Sequence, residues 1–164
     1  MMITTPPPPS PSPASPAPSA PHVPAASHQD FPGELRCVSA ARRFITRHLR
    51  DSRYEPLIDD VVLLVSELAG NAVVHTRSGE PHGTFSVRLR PTCSALRISV
   101  LDQGGYKVPH VRHGCGERGR GLGLVDAIAD RWGTDGDGSG RTVWFEVSEP
   151  PARPAPAKTN AFPT

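Results

Sequence analysis

One stretch constrains this chain more than any other: Leu57 to His75, LIDDVVLLVSELAGNAVVH. At about 100° per residue, its apolar side chains run almost all the way round a helix. Leu64, Leu68, Val61, Ala72 and Val65 fall on one side, Val62 and Val73 on the next, and Leu63 and Val74 close the ring. A helix apolar on every side belongs in the middle of a domain, so the rest of the chain is expected to pack around this one. Glu67, Asn71 and His75 break the pattern at i, i+4 and i+8, which places all three on one stripe.

A carboxylate seldom enters a core without a partner. Two partners fit: an arginine in a structural ion pair, or a ligand that brings a cation. Gly70 lies on the same helix, where glycine costs ~1 kcal/mol relative to alanine. That cost points to something approaching the backbone closely.

The length of 164 residues allows one domain, and composition trims it further. Ten of the 20 prolines lie within residues 1–30, a Pro/Ser/Ala stretch with no apolar periodicity. Such a segment cannot bury enough surface to offset chain entropy, so it is expected to be disordered. It is not a signal peptide, because it has neither a basic start nor an apolar run. The end from Pro150, PPARPAPAKTNAFPT, reads as a second disordered tail, leaving 31–149 as the folded domain. Lys+Arg exceed Asp+Glu by 18 to 16, with no basic stripe of the kind a nucleic-acid reader carries. No apolar run is long enough to span a membrane. The 3 cysteines are odd in number and widely spaced, which fits a reducing, cytoplasmic setting.

In chain order, Glu34 to Arg50 is an amphipathic helix with Leu35, Val38, Ala41, Ile45 and Leu49 inward. Its arginines, Arg42, Arg43, Arg47 and Arg50, are read as a solvated face. Thr76 to Gly83 is a turn-rich loop. Thr84 to Arg90 alternates as a strand, and Leu96, Ile98 and Val100 alternate in the next. Asp102 shares their parity, so it faces the buried side where that strand stops, just before Gly104-Gly105. A plain turn aspartate and a ligand site at the strand end both explain it. His110, His113 and Cys115 have no second ligand pair at a zinc spacing and are read as loop. The glycines 114, 116, 119, 121 and 123 open a helix from Leu122 through Val125 and Ala129 to Trp132. A glycine-rich helix start lets backbone N–H groups approach a phosphate. Neither the Walker A nor the dinucleotide pattern is present. Gly133 to Arg141 is a loop, and Thr142 to Val147 is a last strand.

Three features in fixed order, Glu67-x-x-x-Asn71-x-x-x-His75, Asp102-x-Gly104 and Gly119-x-Gly121-x-Gly123, resemble the N, G1 and G2 boxes of the GHKL ATPase superfamily. The match is nearest to its anti-sigma factor serine/threonine kinase branch, on SELAGNAVVH, GRGLGLVDAIADRWG and GRTVWFEV, and it runs from about Phe31 to Val147. The family's second G1 glycine is replaced here by Tyr106.

The resemblance implies an α/β protein, an α+β two-layer sandwich of the Bergerat ATP-binding type. A mixed β-sheet would carry helices on one face. It further implies ATP and Mg²⁺ as cofactors, with Asn71 holding the metal and Glu67, one turn earlier, acting as general base. Asp102, beside Gly104, would accept the adenine exocyclic N–H. Gly119, Gly121 and Gly123, with the intervening Arg120 and Leu122, would bring backbone N–H groups to the phosphates. His75 is read as structural. The implied function is a regulator that phosphorylates an anti-anti-sigma partner of STAS type and binds a sigma factor, with a homodimer usual in that branch. Neither nucleic acid nor membrane is contacted directly. Two other readings remain: a non-catalytic partner-switch protein using ATP as a conformational ligand or not at all, and a histidine-kinase catalytic domain. The latter lacks the dimerisation helices that would precede it.

Overall fold

The computed structural model describes residues 22–105, 120–137 and 139–151. The expectations placed on residues 1–21, on Tyr106, His110, His113, Gly114, Cys115, Gly116 and Gly119, and on the tail beyond 151 lie outside the described residues.

Three helices, α1 (Val38–Leu49), α2 (Ile58–His75) and α3 (Arg120–Ile128), lie against a five-stranded sheet. The strands are β1 (Ser27–Pro32), β2 (Thr84–Pro91), β3 (Ala95–Asp102), β4 (Arg131–Asp137) and β5 (Gly140–Ser148). Their order is β1-β2-β3-β5-β4, and all four pairings are antiparallel, where the family resemblance implied a mixed sheet. The two-layer α+β arrangement is the one expected. α2 packs on β2 and β3, with α1 and α3 on either side of it against β1 and β4.

Period-two alternation builds the helix-facing side of the sheet. The register brings Phe31 opposite Phe85, Val87 opposite Val100, and Leu89 opposite Ile98. It continues with Leu96 opposite Val147 and Ile98 opposite Phe145. All of these are buried. From the other layer, Val61, Leu64, Val65 and Leu68 of α2 enter the same core with Ile45 and Leu49 of α1. Each such side chain contributes about 1.5–3 kcal/mol on full burial.

Three expectations need correction. The helix at α2 is not buried all round: Leu63 is 42% and Val74 is 59% exposed, so one stripe faces outward. A two-layer fold covers a central helix on its sheet side and its flanks and leaves its back open. The last helix stops at Ile128, and the residues read as loop, 133–137, belong to β4. Trp132 pairs with Phe145 in the sheet, because β5 offers an open edge and the Gly-Thr-Asp-Gly run is poor helix material. The amino-terminal boundary also moves, since β1 begins at Ser27 inside the segment expected to be disordered. A truncation at residue 30 would therefore remove most of a strand that pairs with β2. Among the described residues, a Cβ built at Gly70 finds nothing within 4 Å.

The sheet's outer face is held by charge and stacking. Glu146, 7% exposed, accepts from Arg97 Nε at 2.8 Å and pairs with Arg131 at 3.5 Å. The Arg97 guanidinium stacks 3.9 Å from the Trp144 ring centroid. That ring lies over Gly133, where an added Cβ would meet an indole carbon at 2.7 Å. Gly133→Ala therefore pushes Trp144 off Arg97, and a loss of about 1–3 kcal/mol is expected in urea unfolding. An unchanged midpoint would show that the ring shifts freely. At the β4–β5 turn, hydrogen bonds from the Ser139 hydroxyl and backbone N–H hold the Asp137 carboxyl below its ordinary range.

Candidate functional site

The site begins with the outward stripe of α2. Glu67 and Asn71 are half-buried on it, one turn apart, and His75 is exposed at its end. None of the three side chains has a hydrogen bond or ion pair among the described residues. The stripe is flanked by the exposed Leu63 and Val74, and Gly70 between Glu67 and Asn71 leaves open space. The arginine that would make Glu67 a structural ion pair is therefore absent from the described residues. What remains is a carboxylate and an amide oxygen presented side by side, with room beside them.

The carboxyl end of α2 is fastened to the end of β3. Arg77 N–H donates to Gly104 C=O (2.8 Å), and Arg77 Nε–H donates to Gln103 C=O (3.2 Å). Gln103 N–H in turn donates to the Ser78 hydroxyl (3.0 Å). Gly105 sits so close that a Cβ would lie 3.3 Å from His75 O and from Thr76 Cα. Gly104 takes φ 69°, the left-handed conformation that glycine adopts without strain. These contacts set Asp102 at the same end of α2 as Asn71.

Asp102 points inward, as its parity required: its side chain is 6% exposed. One oxygen, Oδ1, accepts the Gly104 N–H at 2.7 Å. The other, Oδ2, lies 3.5 Å from Arg141 Nε, directly across the β3–β5 pairing. Arg141 was not among the residues singled out from the sequence. The signal was present: Val143, Phe145 and Val147 give β5 its inward parity, and Arg141 continues it. The Gly104 N–H and the Arg141 guanidinium fix the direction of the Asp102 carboxylate, which suits it to accept a hydrogen bond from an amino group.

The third part is the start of α3, whose first described residues are Arg120 and Gly121. Leu122 is half-buried against the core and Gly123 is exposed, with nothing within 4 Å of an added Cβ. The helix thus includes Arg120, two residues ahead of the apolar pattern's first position, and it packs against α2. Helix start, Asn71–Glu67 stripe and Asp102 all belong to elements that meet on α2.

A protein-family model for the histidine kinase-like ATPase domain matches residues 31–147. The chain belongs to that family. The domain's two-layer fold agrees with a solved relative, the RsbU and RsbW domains of Rv1364c from Mycobacterium tuberculosis. The likeness has a TM-score of 0.57 at 19% identity and covers 74% of this chain but 32% of that one. This chain therefore spans about a third of the solved relative. No curated protein matches. Family membership makes ATP the nucleotide this domain implies. Among the described residues, no helix is long and apolar enough to cross a membrane.

Proposed function

We propose that this histidine kinase-like ATPase domain is an ATP- and Mg²⁺-binding regulator with serine/threonine protein kinase activity. It would act in the cytoplasm as an anti-sigma factor whose substrate is an anti-anti-sigma partner of STAS type. The observation that carries the reading is Glu67 beside Asn71 on the outward stripe of α2, neither with a hydrogen bond or ion pair among the described residues, on the helix whose carboxyl end is fastened to Gln103 and Gly104, next to Asp102 in the chain. A module that only binds nucleotide has a use for Asn71 and Asp102 but none for a free carboxylate one turn beyond.

In this reading Asp102 accepts the exocyclic N–H of adenine, while Arg141, 3.5 Å from its Oδ2, helps to orient the carboxylate. Backbone N–H groups of the segment Gly119, Arg120, Gly121, Leu122 and Gly123 face the phosphates, where the helix dipole favours anions. Asn71 fits a magnesium ligand: its half-buried side chain makes no hydrogen bond among the described residues, and the neighbouring Gly70 leaves room beside the helix. Bound there, Mg²⁺ would neutralise charge on the phosphates. Glu67 accepts the proton of the attacking hydroxyl as the γ-phosphoryl group moves.

The first experiment is calorimetric titration of the protein with ATP, with and without Mg²⁺, followed by transfer of labelled γ-phosphate to candidate acceptors. Mg²⁺-dependent binding is expected. Binding absent at millimolar ATP would end the nucleotide reading, and binding without transfer would leave a partner-switch module that uses ATP as a conformational ligand. Base selectivity adds a prediction. Asp102 faces an amino group in ATP but a carbonyl oxygen in GTP, so wild type should prefer ATP. Asp102→Asn, whose amide offers both a donor and an acceptor, should lose about 10- to 100-fold of that preference. Equal selectivity in both proteins would remove Asp102 from the adenine.

A further inference from the structure

We infer that Leu63 and Asp60 form the docking track for the phosphate acceptor, and that the acceptor segment carries an apolar side chain two residues from its reactive hydroxyl. The inference rests on the kinase reading above and adds the direction of approach and the chemistry of the partner.

The argument starts from exposure. Among the described residues, the exposed large apolar side chains are Val23, Leu35, Leu63 and Val74. Two of these four lie on the outward stripe of α2 with Glu67 and Asn71. Val74 is at the end of the helix that is fastened to Gln103 and Gly104. Leu63 is at the opposite side of Glu67, one turn toward the amino end. Displacement at phosphorus is in line, so nucleophile and leaving group stand on opposite sides. A nucleotide held from the Asp102 end leaves its β-phosphate on the Asn71 side of the reacting phosphorus. The acceptor hydroxyl then arrives from the Leu63 side.

The step balances as follows. The hydroxyl oxygen of the acceptor forms a bond to Pγ, the bond from Pγ to the β,γ-bridging oxygen breaks, and ADP leaves with that electron pair. The hydroxyl proton passes to the Glu67 carboxylate. A chain reaching Glu67 by this route crosses Leu63, about 6 Å along the helix, and then Asp60, about 10 Å along. An extended peptide rises about 3.3 Å per residue and points every second side chain the same way. The side chain over Leu63 is therefore two residues from the hydroxyl, and it is apolar. Asp60 is exposed and has no ion pair among the described residues, with Asp59 exposed beside it. A lysine or arginine three or four residues from the hydroxyl meets that charge.

The test uses an array of 11-residue peptides with a central serine and systematically varied neighbours, incubated with the full chain and γ-labelled ATP·Mg²⁺. Bound protein and incorporated label are both read on every spot. Wild type should favour Leu, Met or Phe over Asp two residues from the serine by about tenfold or more. Leu63→Asp should erase or invert that preference with unchanged ATP affinity, and Leu63→Met should keep it. Asp60→Lys should turn the preference for a basic residue into one for an acidic residue. Labelling without side-chain preference, or the same preference in Leu63→Asp, would overturn the docking track and leave the kinase reading standing. No labelling in the presence of selective, Leu63-dependent binding would sink the kinase reading and keep the track. Neither labelling nor selective binding would overturn both.

Discussion

Replacing Glu67 with glutamine should lower phosphoryl transfer by about 10²- to 10⁴-fold, the usual contribution of a general base. ATP affinity should stay at the wild-type value. Both halves follow from position. Glu67 is half-buried on the outward stripe of α2, one turn beyond Asn71 and farther from Asp102, with no hydrogen bond or ion pair among the described residues. It has no structural partner to abandon, and glutamine keeps its shape and helix propensity, so thermal stability should not move. Single-turnover transfer to the acceptor, beside calorimetric ATP binding, separates the two effects. Transfer at the wild-type rate in the variant would dismiss Glu67 as the base.

Asn71→Ala should produce the second large effect, a fall in Mg²⁺-dependent ATP affinity of about 100-fold, or about 2.7 kcal/mol. Affinity measured without Mg²⁺ should match wild type. The fold should not suffer, because the Asn71 side chain makes no hydrogen bond among the described residues and alanine is the better helix former by a few tenths of a kcal/mol. This combination, a loss of binding with equal or higher melting temperature, is what distinguishes a metal ligand from a packing residue. An affinity that stays Mg²⁺-dependent in the variant would place the ion elsewhere.

The stripe of Glu67 and Asn71 was legible because helical spacing alone puts i and i+4 side by side. Asp102 was legible for a similar reason: strand parity needs no tertiary information, and its side chain is indeed directed inward at the end of β3. Arg141 shows the limit of such reasoning. Its inward parity could be read along β5, but its place opposite Asp102 depends on which strand pairs with β3 and in what register.

Local pattern by itself determined the three helices' existence, the inward faces of β2, β3 and β5, and the shared stripe on α2. Those features repeat with the period of the backbone, so a few residues suffice to express them. Tertiary structure decided the rest. It drew Ser27–Pro32 into the sheet as β1, although their sequence carries no strong strand signal, because β2 would otherwise present an open edge. It drew the glycine- and aspartate-rich Arg131–Asp137 into β4 for the same reason on β5. It also left Leu63 and Val74 outside, since a helix with a sheet beneath and a helix on each flank has one side that no described element covers. Hydrophobicity could not predict that: the side chains are as apolar as those in the core, and only the arrangement of layers determines which of them meet water.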